Sequence, residues 1–326
     1  MKNIPFLATC MTLALSGAAY AQQPLQADAI NAAALDSIST DRPAKATSSP
    51  DPAIIHLQVL LDRAGSSPGV IDGYYGENVS KAVAGFEAMQ GLPSDGKLDP
   101  DVISRLSNDQ PVIAPYVIAE DDAKGIVEAI PEDYKDMAAM EHLGYTSVAE
   151  GLSERFHMDI DLMKALNPDA AFAVGDTISV AMPGEPRTGK VKRIEADKQK
   201  GQVLAYADDG SLLAVYPATI GSKQSPSPSG THKVKGVATM PTYTYNPDVN
   251  FQQGDNKDVL TLPSGPNGPV GTVWIDLSEP TYGIHGTAEP SLIDKVGSHG
   301  CVRLANWDVE ELAKMVKPGV MVKFID

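Results

Sequence analysis

The hydrophobic pattern of this 326-residue chain changes character at Lys190, so no single fold class can hold all of it. Before that point apolar residues recur at helical spacing. Ile54, Leu57 and Leu61 share one face, and Val79, Ala82, Val83 and Phe86 repeat at i, i+3, i+4 and i+7. Asp51-Pro52 and Asp99-Pro100 each offer an N-cap followed by proline at the first helical position, the second opening a helix that carries Val102, Ile103 and Leu106. After Lys190, short β-rich runs take over at 191–196, 203–207, 212–218, 231–237 and 272–277, separated by Gly, Pro, Ser and Asp. They predict a β sandwich or partial barrel, with Trp274 and Ile275 in its core. One helix interrupts it: Asn306 caps, Asp308, Glu310 and Glu311 fill the first turn, and Lys314 and Lys317 sit at the far end, in accord with the helix dipole. Pro318-Gly319 stops that helix before a last strand over 320–325.

The first residues read as an export signal. A basic start at Lys2, an apolar run over 6–15 and Ala19-Tyr20-Ala21 predict cleavage after residue 21. No later apolar run is long enough to span a bilayer, so a periplasmic protein without a membrane span is expected. Residues 22–50, rich in Ala, Ser, Asp and Thr without a period, are expected to form a flexible linker. Charge is uneven: residues 22–189 hold 11 basic and 27 acidic side chains, residues 190–326 hold 14 and 15. An acidic front of this kind argues against nucleic acid and anionic lipid as partners, because phosphates demand Lys and Arg.

The chain has two cysteines, and Cys10 is expected to leave with the signal. Cys301 therefore has no internal disulfide partner and is either a reactive thiol or an intermolecular bridge. Its neighbours favour reactivity. Ser298-His299-Gly300-Cys301 places one histidine two residues before the thiol, and Tyr282-Gly283-Ile284-His285-Gly286-Thr287 places another sixteen before it. An imidazole can take the thiol proton and later return it to a leaving amine, and backbone N–H groups at a glycine beside the nucleophile can hold an oxyanion. An inert buried thiol remains open, as does a zinc site on His285, His299 and Cys301, although a fourth ligand is not evident. His56, His142, His157 and His232 are read as structural or surface residues, and Arg303 could simply pair with a local acid.

Three stretches resemble known modules. Leu57 to Leu61, Gly69-Val70-Ile71-Asp72-Gly73-Tyr74-Tyr75-Gly76, Lys81-Ala82-Val83, Phe86 and Gly91-Leu92-Pro93-Ser94-Asp95-Gly96 are similar to a small three-helix peptidoglycan-binding domain, assigned to 51–108. Residues 145–156, Leu166-Asn167-Pro168 and 174–181 resemble a divergent lysin motif, two helices between two strands, within a linker-and-module stretch over 109–187; residues 111–131 are read as linker with a strand or two. Pro269-Val270-Gly271-Thr272-Val273-Trp274-Ile275, residues 282–287 and Ser298-His299-Gly300-Cys301-Val302-Arg303-Leu304 resemble the L,D-transpeptidase catalytic domain, assigned to 188–326, and Ser227-Pro228-Ser229-Gly230-Thr231 occupies the family's Thr-Pro-x-Gly segment with serine for threonine. The expected fold is therefore multidomain: an all-α module, a small α+β segment and a mainly β sandwich with one helix.

The resemblance implies the chemistry. Cys301 would attack the bond between the L-centre of diaminopimelate and D-alanine in a tetrapeptide stem, and a second diaminopimelate amine would resolve the thioester as a 3-3 crosslink. One amide replaces another, so no cofactor or ATP is needed. It also implies His285 as proton acceptor and donor, His299 and Gly300 shaping the oxyanion region, Ser298 supporting the histidine geometry, Arg303 pairing with a substrate carboxylate and Tyr282 lining the pocket. Water or a wall-anchored lipoprotein could replace the acceptor, giving a carboxypeptidase, an endopeptidase or an attachment enzyme. A non-catalytic wall-binding protein is the reading from another class. The family often carries glycine soon after the isoleucine of Leu292-Ile293-Asp294, and this chain does not, which puts the lid over the site in question.

Overall fold

The computed structural model describes residues 25–38 and 49–326; the expected signal sequence over 1–21 lies outside them. The front of the chain is built from α1 (Ala27–Asn31), α2 (Pro52–Arg63), α3 (Glu77–Gln90) and α4 (Pro100–Leu106). Both predicted caps form: the Asp51 carboxylate accepts from the Ala53 N–H and that of Asp99 from the Val102 N–H. Leu57, Leu61, Val79, Ala82, Val83, Phe86 and Val102 then close into one core.

Residues 25–38, expected inside a flexible linker, are instead folded. Ile30 is fully buried and Leu35 nearly so in that same core, and the Asn31 amide accepts from the Val112 and Ile113 N–H groups while donating to the Ile113 carbonyl. Two apolar side chains are enough to cover the outer side of α2; in an Ala- and Ser-rich composition they carry no periodic signal.

The next unit comprises β1 (Ile113–Val117), a 3-10 turn, α5 (Tyr134–Met137), α6 (Val148–Arg155), α7 (Ile160–Leu166) and β2 (Thr177–Ala181). Strands β1 and β2 pair antiparallel, with Ile113 opposite Ala181. The two expected helices α6 and α7 do lie between two strands, the first of which falls at 113–117, within the stretch read as linker with a strand or two. Leu152, Leu162, Met163, Ile178 and Val180 enter the core of α2 to α4, so both front units share one apolar interior.

The C-terminal region contains β3 (Arg193–Asp197), β4 (Gln202–Tyr206), β5 (Leu212–Pro217), β6 (Thr219–Ile220), β7 (Gly230–Thr239), β8 (Tyr243–Tyr245), β9 (Leu260–Leu262), β10 (Val273–Leu277), β11 (Gly283–His285), β12 (Val302–Arg303), α8 (Asn306–Met315) and β13 (Met321–Ile325). Nine of these strands hydrogen-bond in the order β5-β4-β3-β13-β7-β10-β11-β12-β6, while β8 and β9 form a separate hairpin. The long β7 serves two layers: its first half pairs with β13 and its second half with β10. Ile194, Ala196, Val203 and Val322 from one half meet Ile275, Ile284 and Val302 from the other, and Val309 and Leu312 of α8 pack on the same core. This is the mainly β sandwich with one helix that the residue pattern predicts.

Front and back are packed together. The Ser67 N–H donates to the Val215 carbonyl of β5 at 2.8 Å, and the Val215 N–H returns a bond to Gly65 at 2.9 Å. Gly85 on α3 lets β5 approach: a Cβ there would lie 2.5 Å from the Ser66 hydroxyl and 3.1 Å from a Val215 methyl. Among the described residues no helix is long and apolar enough to cross a membrane.

Candidate active site

Strands β11 and β12 run parallel, with Ile284 opposite Val302 and His285 opposite Arg303. Ile284 and Val302 are fully buried in the core, so the alternation of a strand turns Gly283, His285, Cys301 and Arg303 to the other face. The register thus gathers residues sixteen apart in sequence. Only glycine fits at 283, where a Cβ would lie 2.5 Å from the Trp274 ring. That ring belongs to β10 directly opposite His285 and stacks on the imidazole, with centroids 5.4 Å apart and planes 20° apart. Ile275 is core as expected; Trp274 is half-buried and faces the site.

His285 is 4% exposed, and its Nδ1 lies 2.7 Å from the Gly286 carbonyl. A carbonyl can only accept, which assigns the proton to Nδ1 and leaves Nε2 with its lone pair. Burial, reinforced by the positive charge of Arg303 and opposed by that hydrogen bond, brings the imidazole down to about 4. Burial pushes the Cys301 thiol above its usual value, while the Gly283 N–H and the Arg303 charge pull the other way. At neutral pH both groups are therefore uncharged.

The cysteine sits on a turn pinned from behind. The Ser298 hydroxyl donates to the Cys301 carbonyl at 2.6 Å and accepts from the Gly221 and Gly300 N–H groups. Ser298 is expected to support a histidine; its bonds here hold the turn that carries Cys301, and Gly300's N–H is already engaged. Ser227, from the Ser-Pro-x-Gly segment, donates to the Gly300 carbonyl at 2.7 Å. Gly300 has φ +111°, and a Cβ there would lie 2.7 Å from the Tyr282 ring, so Tyr282 packs directly on this turn. Asp294, directly after Ile293, adopts φ +63°, the left-handed conformation that glycine takes freely and aspartate tolerates, and its carboxylate pairs with Lys81 of α3.

His299 points outward and stacks on Phe251 at 3.9 Å with planes 9° apart. Phe251 lies on the loop joining β8 to β9, which α5 braces: Tyr134 meets Tyr243, Tyr245 and Phe251 edge-on, and the Gln253 side chain bonds the Tyr134 N–H and the Glu132 carbonyl. Beside it opens a cavity of about 650 Å³ whose lining includes Glu128, Ile130 and Tyr134 from the front of the chain and Thr287, Glu289 and Arg303 from the back. Among the described residues Arg303 has no carboxylate within 4.0 Å, so it is not absorbed by a local acid. Nor do three His, Cys, Asp or Glu side chains gather as a metal site among those residues.

Residues 191–323 match the L,D-transpeptidase catalytic domain of the YkuD type, and residues 50–106 match a peptidoglycan binding domain. The L,D-transpeptidase YkuD of Bacillus licheniformis is 31% identical over 144 residues, which is 44% of this chain and 72% of that protein. The chain belongs to the L,D-transpeptidase family. Its namesake in Bacillus subtilis is 27% identical over 51% of this chain and 87% of its own length, and the L,D-transpeptidase YbiS of Escherichia coli K12 is 28% identical over 56% and 61%.

Within this L,D-transpeptidase, sequence reasoning missed four residues. Trp274 and Ser227 were visible only as a core residue and a degenerate motif. Phe251 lies in a loop without pattern. Asn306 was read as a helix cap, yet the N-cap position is Ala305 and the Asn306 side chain turns away, accepting from the Thr272 N–H at 3.1 Å.

Proposed function

We propose that this protein is a peptidoglycan L,D-transpeptidase acting outside the cytoplasm, in the periplasm, with Cys301 as nucleophile and His285 as base and acid. The observation that carries this reading is the parallel register of β11 and β12, which turns Cys301 and a histidine with a free Nε2 to one face. Because thiol and imidazole are both uncharged at rest, the proton moves as the bond forms, not before. The Cys301 sulfur attacks the carbonyl of the donor's L-centre, Nε2 takes the thiol proton, and the oxyanion is held by the Cys301 N–H on a turn that His299 and Gly300 shape. Collapse expels D-alanine, whose amine takes the proton from Nε2, leaving a thioester. An acceptor amine then gives its proton to Nε2 and attacks the thioester, and the sulfur departs as the thiol. Arg303, which lines the cavity and has no carboxylate partner among the described residues, would hold a substrate carboxylate by a forked contact, and Tyr282 would line the pocket from its place against the Gly300 turn.

The stretch over 51–108 would bind wall polymer and that over 109–187 would form the cavity's outer wall. Water or a wall-anchored lipoprotein as acceptor remains a second outcome of the same thioester. Intact-mass analysis with a diaminopimelate tetrapeptide tests the reading. We expect an adduct on Cys301 lacking D-alanine, then crosslinked dimer, and neither with Cys301→Ala, whose circular dichroism should match the parent. Tripeptide alone would replace transfer with hydrolysis, and turnover by Cys301→Ala would remove the cysteine from the mechanism.

A further inference from the structure

Helix α6, in the front of the chain, presents two glutamates one turn apart, Glu150 and Glu154, to two asparagines of the catalytic domain. Glu150 Oε1 accepts from the Asn267 amide at 2.7 Å, and Glu154 Oε2 accepts from the Asn306 amide at 2.8 Å. The second contact continues inward. Asn306 is 2% exposed, and its amide orientation is fixed at both ends: Nδ2 donates to Glu154 and to the Pro266 carbonyl, while Oδ1 accepts from the Thr272 N–H. The same Oδ1 is wedged against two glycines, since a Cβ on either Gly271 or Gly286 would lie 2.1 Å from it. Gly286 is the residue whose carbonyl receives the His285 Nδ1 proton.

We propose that Glu154 is a positioning residue for His285: by holding Asn306 it fixes the Gly271-Thr272 and Gly286 backbone, and so keeps the imidazole proton on Nδ1 and Nε2 free. The front of the chain then prepares the base of the catalytic domain. Two features single out Glu154. It is 7% exposed at a junction where the Tyr145 hydroxyl also donates to it at 3.3 Å, and no lysine or arginine pairs with it among the described residues. A carboxyl placed there without a cationic partner is a costly choice for docking alone, yet it supplies the acceptor that an asparagine needs to keep its oxygen aimed inward. Glu150, by contrast, ends on Asn267 and the Thr146 backbone and has no continuation to the histidine.

The inference rests on His285 being the base, and its test separates the two. In full-length protein labelled with ¹⁵N-histidine, the His285 ring resonances report the tautomer whether or not the protein turns over. We expect the Nδ1–H form in the parent and in Glu154→Gln, whose amide oxygen keeps the contact to Asn306, and a mixture or the Nε2–H form in Glu154→Ala. With the tetrapeptide substrate, Glu154→Ala should lower kcat about ten- to a hundredfold with little change in KM, the scale of a misplaced catalytic group, and Glu154→Gln should restore it. Glu150→Ala loosens the same interface and should leave the tautomer as it is. The proposal is overturned if Glu154→Ala retains the Nδ1–H form, or if Glu150→Ala disturbs His285 equally, which would make the effect one of docking.

Discussion

A histidine brought down to about 4 by burial makes a definite claim about pH. In the unfolded chain this imidazole titrates near 6.5 and in the folded chain at about 4, so between those values the unfolded state binds the extra proton. The stability that neutral His285 contributes is therefore present above 6.5 and lost as pH falls toward 4. The acid limb of kcat/KM should follow the same group: activity holds through pH 6 and 5 and declines near 4, where an ordinary exposed histidine would already have halved it at 6.5. A pH–rate profile with an acid midpoint near 6.5 would show that burial does not control the base. The cysteine and the histidine could be read from the sequence because two glycine-flanked histidines around a lone thiol form a dense local pattern. Ser227 and Asn306 could not, because a hydroxyl or an amide acquires its role only from the backbone that the fold places opposite it. Asn306 illustrates this, since its residue type suits a helix cap equally well.

At the scale of elements, what the sequence revealed was what is periodic. Helices α2, α3 and α4 and most strands of the sandwich follow from spacing and turn residues, and the caps of α2 and α4 form where Asp-Pro predicts them. The element that was misread, residues 25–38, is too short to show a period. Its role is nonetheless sizeable. Ile30 is fully buried against α2 and β1, so Ile30→Ala should cost about 2–5 kcal/mol, the range for deleting a large core side chain. The midpoint of urea unfolding measures this; a shift under about 0.5 kcal/mol, typical of a surface change, would mean the segment lies loosely on the core in solution. The β8–β9 hairpin is a different case. Nothing in its own sequence marks it as a roof over the site, because Phe251 meets His299 and Tyr134 only after three separate stretches of chain have folded.

For the whole molecule, the sequence suggests beads on a string, an acidic front tethered to a nearly neutral enzyme, and the structure shows seams instead. Three join front to back: β5 against α3 and the α2–α3 loop, whose Gly65 and Ser67 exchange backbone bonds with Val215, the Lys81–Asp294 pair beside the cysteine loop, and α6 against Asn267 and Asn306. A fourth is the apolar cluster in which Ile130, Tyr134, Met137 and Leu143 cover Tyr245 and Leu262. The charge imbalance hid these seams, because glutamates that dock onto asparagine amides count the same as glutamates facing water. The chain crosses from front to back through residues 184–190, which are exposed throughout and include Arg187 and Lys190. Trypsin should cut there first, and the seams predict that the two pieces then elute together in gel filtration and retain turnover. If the pieces separate while the C-terminal one keeps its activity, the front is only a tether, and the relay from Glu154 to His285 loses its physical basis.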